Sequence, residues 1–149
     1  MASQDTTARG LHIHAVAFSA AAEAVHSSKL ADPFPEYFLW GRTVELVLKS
    51  FLLTKGQTVA ELKREFGHDL NSLLRDANLR GISKLIGLNA IDIGIIKVLN
   101  LDYLSKRFEY REIGATYHLP DVTMTRRFVK RLLRGIDFHL KNYKGKTRG

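Results

Sequence analysis

Cysteine is absent from all 149 residues of this chain. That excludes disulfides, thiolate nucleophiles and cysteine-ligated zinc, and it leaves the redox compartment open. Proline occurs at three places, Pro33, Pro35 and Pro120, so few points force a break in a helix. No apolar run approaches the ~20 residues that span a bilayer. The longest, Ile91 to Leu101, is interrupted by Asp92, Gly94, Lys97 and Asn100. The N-terminus lacks a basic start followed by an apolar segment, so no signal peptide is read and the cytoplasm is the default expectation. There is no Walker-type glycine loop and no Gly-x-Ser-x-Gly. His12 and His14 are two apart and point to different sides of a helix, so no i, i+4 zinc pair is present. The sequence predicts no metal site and no cofactor. Sustained period-2 alternation, internal repeats and low-complexity tracts are also missing.

What is present is enough for one folded domain. The residues are 45% hydrophobic and 26% charged, which allows a sizeable core under a polar surface. The charge is uneven. From Arg126 to Gly149 there are nine Lys or Arg against one acid, Asp137, a local excess of +8 that equals the net charge of the whole chain. Residues 1–125 balance, 14 against 14. A balanced body with one basic end points to an anionic partner for that end, or to a solvated helix face with a basic tail.

Helical spacing dominates the pattern. Residues 1–10 are polar and expected to be disordered. Leu11 to Ser28 is alanine-rich, with Leu11, Ala15, Phe18, Ala22 and Val25 on one face. Asp32-Pro-Phe-Pro breaks it. The next helix runs from about Pro35 to Thr54, with Phe38, Val44, Leu48 and Phe51 or Leu52 inward and Gly56 as its stop. Thr58 to Phe66 reads as a short helix with a capping box, Thr58 and Glu61. Leu70, Leu73, Leu74 and Ala77 mark another, with Asp69 in its first turn. Residues 78–87 read as a connection. Asn89 to Leu104 is helical, with Ile91, Ile95, Val98 or Leu99, and Leu101 inward. The irregular stretch 106–120 leads to a last helix capped by Asp121 or Thr123, with Phe128, Leu132, Ile136 and Leu140 inward. The expected fold is all-α, an antiparallel up-and-down bundle of about five helices over residues 11–143, with a basic tail at 144–149.

Two groups of residues carry chemistry. The first is Arg111 and His118, with six residues between them and directly before the last helix. A neutral imidazole can take a proton from a 2′-hydroxyl, and a guanidinium fork can hold a phosphate. The bland alternative is that Arg111 pairs with Glu109 or Glu112 while His118 packs the loop. The second is Glu45, Lys49, His68 and Asp69. Glu45 and Lys49 stand in the favoured i, i+4 order, and Gly67-His68-Asp69-Leu70 opens the following helix. Here too a structural reading competes: Lys49 extending from a buried face, and Asp69 capping its helix. Tyr103, Arg107, Phe108, Tyr110, Arg111 and Tyr117 interleave rings and cations, which suits single-stranded nucleic acid or a protein interface.

The Glu/Lys helix followed by Gly67-His68-Asp69-Leu70, and the Arg111 to His118 spacing before the last helix, together resemble the HEPN family. These are small all-helical proteins associated with nucleotides and RNA in bacterial defence and toxin systems. The resemblance implies a metal-independent endoribonuclease of toxin or phage-defence type, with His118 as general base, Arg111 as phosphate clamp and Arg107 assisting. One departure stands out: the residue after the Arg is commonly neutral or polar in active members, and here it is Glu112. The alternative is a non-catalytic dimeric binding or regulatory module. It would hold nucleic acid, a nucleotide or an acidic partner through Arg127, Lys130, Arg131, Arg134 and Lys141. The resemblance further implies a homodimer with any groove between subunits, and a partner protein of nucleotidyltransferase or antitoxin type.

Overall fold

The computed structural model describes residues 7–143. They form seven helices and no strand: α1 Ala8–Ser28, α2 Phe34–Thr54, α3 Val59–Glu65, α4 Leu70–Leu79, α5 Ser83–Ile86, α6 Ala90–Leu104 and α7 Val122–Asn142. The all-α expectation holds. The count is seven rather than about five; the short α3 was expected at Thr58 to Phe66, whereas the single turn α5 lies within 78–87, read as a connection. Helix α1 starts at Ala8, capped by the Thr7 hydroxyl on the Gly10 amide at 2.9 Å. Residues 8–10 are therefore helical rather than disordered. The basic tail at 144–149 lies outside the described residues.

Local signals fix most boundaries. Thr58 and Glu61 form the expected capping box at α3, and Asn89 and Asp92 form a second at α6. Asp121 caps α7 through the Met124 amide at 2.8 Å. Asp69 is the N-cap of α4, accepting from Asn71 and Ser72, and Asn100 of α6 ties into it by donating to Asp69 and accepting from the Leu70 amide. Hydrogen bonds from Ser72 and Asn100 outweigh burial and hold the Asp69 carboxyl below its usual range.

Helix α2 is the axis of the fold. It is buried on nearly every side, with Trp40, Val44, Val47, Leu48, Phe51 and Leu52 inaccessible to solvent or nearly so. Each such side chain contributes about 1.5–3 kcal/mol by leaving water. Helix α1 packs antiparallel to α2, Ser50 reaching the Ala8 carbonyl at one end and His26 reaching Glu36 at the other. Helix α3 carries the chain back, so α4 runs parallel to α2. Helices α6 and α7 are antiparallel: Arg131 of α7 binds Asp92 near the start of α6, and the His118 amide, in the segment leading into α7, binds Asp102 near the end of α6. On α7 the expected stripe Phe128, Leu132, Ile136 and Leu140 is buried.

Helix α6 departs from expectation. Ile95 and Leu99 face inward, but Ile91 and Leu101 are 55% and 56% exposed. The inward positions are instead shared with Asp92, Asn100 and Asp102, all buried. Each of these polar groups has partners, which is why the helix can bury them.

Candidate functional site

Glu45 lies in the middle of α2 with its carboxylate fully buried. A buried charge requires partners, and it has four. The Tyr103 hydroxyl donates to Oε1 at 2.6 Å, and Lys49 Nζ and Arg42 Nη1 donate to Oε2 at 2.9 and 3.0 Å. His68 Nδ1 lies 3.0 Å from both oxygens. Arg42 and Lys49 sit one turn before and after Glu45, where helical spacing brings side chains together. Tyr103 arrives from α6. Its ring packs closely on α2 because residue 41 is glycine, where any Cβ would run into it. His68 arrives from the α3–α4 loop. Gly67 there has φ +53°, a left-handed conformation suited to glycine, and the turn it makes presents His68 to α2 and Asp69 to α4.

The electrostatics follow from this geometry. Burial pushes the Glu45 carboxyl up, but the Tyr103 hydroxyl, Lys49 and Arg42 together more than reverse it, so it stays ionised below the usual carboxylate range. Burial, reinforced by Glu45, pushes the Tyr103 hydroxyl far up, so it remains a donor. An ionised carboxylate can only accept, which places a proton on His68 Nδ1; in the neutral imidazole Nε2 then carries the lone pair. Nε2 has no partner among the described residues. The His68 side chain is 54% exposed and borders a pocket of about 260 Å³ with Phe38, Arg42, Tyr103, Lys106 and Glu109. Lys106 has φ +62°, a conformation that non-glycine residues seldom adopt and that recurs at functional positions. The pocket therefore combines an oriented imidazole, two cations, two aromatic walls and one acid. Such a set can take a proton from a hydroxyl while holding an anion beside it.

The remaining sequence-predicted residues fall elsewhere. Asp69 is committed to capping α4. Arg107 and His118 meet at buried Asp102, one residue before Tyr103 on α6 but about 100° round the helix. Arg107 Nη1 lies 3.4 Å from Asp102 and 3.3 Å from the Thr116 carbonyl, and Arg107 also faces Glu112 at 3.4 Å. The His118 amide donates to Asp102 at 2.6 Å, while its ring Nδ1 stays 4.0 Å away. Arg111 turns from this group. It pairs with Asp32 at 2.7 Å and stands over the Phe34 ring at 5.0 Å. No hydrogen bond joins Arg111 to His118 among the described residues.

On α7, Arg131 is bound to Asp92 at 2.6 Å and Lys141 to Asp137 at 3.1 Å. Arg127, Lys130, Arg134 and Lys141 share one exposed stripe with Phe138. His139 of α7 packs against Phe51, and the Pro120 carbonyl just before α7 accepts from Tyr37, so α7 lies on that side of α2 and this stripe faces away from the Glu45 pocket. Among the described residues no group of three or more His, Asp or Glu side chains is placed to hold a metal ion, and no helix is long and apolar enough to cross a membrane.

Sequence reading reached Glu45, Lys49 and His68 but not Arg42, Tyr103 and Lys106 as their companions. Arg42 carried a signal, its i, i+3 spacing to Glu45. Tyr103 and Lys106 carried none, since 58 residues separate Tyr103 from Glu45. Comparison with protein families, with curated proteins and with solved structures finds no match to this chain.

Proposed function

We propose that this chain acts on RNA, cleaving it without a metal at the His68 pocket. One observation carries the reading: His68 is held through Nδ1 by a buried, ionised Glu45, leaving Nε2 at a pocket that Arg42 and Lys106 also line. In this reaction Nε2 takes the proton of a ribose 2′-hydroxyl. The 2′-oxygen forms a bond to phosphorus, the bond to the 5′-oxygen breaks, and the leaving oxygen gains a proton from water. The product is a 2′,3′-cyclic phosphate. Arg42 and Lys106 hold the phosphate oxygens as charge builds, and Phe38 offers a ring for a base to stack on. Glu109, an exposed acid on the same pocket, opposes anion binding, so Glu109→Gln should tighten RNA binding.

The test is cleavage of single-stranded RNA in EDTA. His68→Ala should slow it ~100- to 10,000-fold, the usual worth of a general base. Undiminished cleavage by His68→Ala overturns the site, and no cleavage by wild type overturns the activity. A second reading, a binding module without catalysis, draws on the exposed stripe Arg127, Lys130, Arg134 and Lys141. It predicts steeply salt-dependent RNA binding with no product.

A further inference from the structure

We propose that the outer face of α6, with the adjoining groove against α4, is the docking surface for an acidic amphipathic helix of a partner protein. An ordinary surface helix turns apolar residues inward and polar ones outward. Helix α6 keeps Ile95, Ile96, Leu99 and Tyr103 inward but breaks the pattern on both sides of them. Asp92, Asn100 and Asp102 are buried, while Ile91, Leu101 and Leu104 are 55%, 56% and 45% exposed. At 100° per residue, Ile91, Gly94, Val98, Leu101 and Leu104 fall on the arc that no other described helix covers. Lys97 is the one charge on it. A contiguous exposed apolar face of this kind marks an interaction surface.

The shape favours a helix. Nothing lies within 4 Å of where a Cβ on Gly94 would stand, so a neighbouring backbone can approach closely at the centre of the arc. Beside it, Asn71, Leu74, Arg75, Asn78, Leu88, Ile93 and Lys97 line a groove of about 270 Å³. A concavity of this size accepts side chains from an apposed helix, which a flat bilayer cannot supply. Helix α6 is about 22 Å long at 1.5 Å per residue, matching a partner segment of about 15 residues.

The charge favours an acidic occupant over a second copy. Arg75 and Lys97 stand on the groove wall with no acid partner among the described residues. The acids of α6 itself, Asp92 and Asp102, are buried and paired with Arg131 and Arg107. A two-fold pairing of this face would set Arg75 and Lys97 of one copy near those of the other, with no exposed acid on α6 to meet them. An apolar stripe flanked by Glu or Asp complements both the arc and its edge.

The probe is a fluorescein-labelled synthetic helical peptide of about 20 residues with a Leu/Ile stripe and Glu flanks. Its match has the same stripe with Lys flanks. Fluorescence anisotropy should show binding of the acidic peptide, more than about tenfold tighter than the basic one, weakening with salt. Leu101→Glu should weaken it more than about tenfold, because the new charge is buried at the contact. Ile113→Glu, at a fully exposed loop position, should leave it unchanged. Leu101 is exposed in the free chain, so circular dichroism should show Leu101→Glu folded. Equal binding of the two peptides, or none at ~100 µM, overturns the proposal. So does wild-type self-association that Leu101→Glu abolishes, which would make the occupant a second copy. Capture by phosphatidylserine vesicles that Leu101→Glu abolishes would make it a membrane.

Discussion

Replacing Glu45 by Gln removes one buried negative charge and leaves its partners in place. Lys49 is 15% exposed and Arg42 33% exposed, so both keep a charge in a poorly solvated position with its counter-charge gone. The Tyr103 hydroxyl loses a charged acceptor in a fully closed position. Breaking a buried pair from one side costs about 3–5 kcal/mol. For a domain of this size that lowers Tm by roughly 6–20 °C. Tyr103→Phe removes one charge-assisted hydrogen bond and should cost about 1.5–3 kcal/mol. Because both act on one carboxylate, the double variant should fall short of the sum. The pH dependence has a definite sign. The Glu45 carboxyl titrates below its usual range in the folded chain, so its contribution is fully present above the unfolded value near ~4.3 and is lost as pH falls through the folded value. Urea melts should therefore show a gap between wild type and Glu45→Gln that is constant from pH ~7 to ~5 and narrows below ~4. A gap under about 1 kcal/mol at pH 7, or strict additivity with Tyr103→Phe, would refute the reasoning that one buried charge organises this cluster.

Further perturbations separate structure from chemistry. Gly41→Ala should destabilise by about 1–3 kcal/mol through overpacking against the Tyr103 ring, and should lower RNA cleavage beyond what its thermal melt explains. Asp69→Ala should cost about 1–2 kcal/mol in a denaturant melt through loss of the α4 cap. Burial and the nearby Lys55 push the His139 imidazole down, so its contribution is lost as pH falls; wild-type stability should rise from pH ~5.5 to ~7, and the rise should flatten in His139→Gln. Changing Arg127, Lys130 and Arg134 to Gln should reduce the slope of RNA affinity with salt by up to about 2 if the α7 stripe touches phosphates. Arg131→Gln should mainly lower stability, because Arg131 is spent on Asp92.

The helical framework was legible in the sequence because its signals are local. The Thr58–Glu61 box, the Asp32-Pro-Phe-Pro break and the 3.6-residue stripe of α7 each act within one or two turns. The inward face of α6 was legible only in part, at Ile95 and Leu99. Ile91 and Leu101 look like core by hydropathy, and only the partners of Asp92, Asn100 and Asp102 on α7, α4 and the 106–120 segment explain why polar groups took the inner positions. The site divides in the same way. Glu45 and Lys49 lie one turn apart and were visible together, and the Gly67 turn marked His68. Their meeting with Tyr103 depends on packing across 58 residues and on the missing Cβ of Gly41. Arg111 and His118 were linked by short spacing alone, while Asp32, 79 residues from Arg111, draws Arg111 elsewhere.

The most direct measurement compares cleavage of one single-stranded RNA in EDTA by wild type, His68→Ala and His118→Ala, with the 3′ ends of the products identified. Cleavage by wild type with 2′,3′-cyclic phosphate ends, a ~100- to 10,000-fold loss in His68→Ala and little loss in His118→Ala are expected from the Glu45–His68 geometry. Loss in His118→Ala with His68→Ala fully active would contradict it.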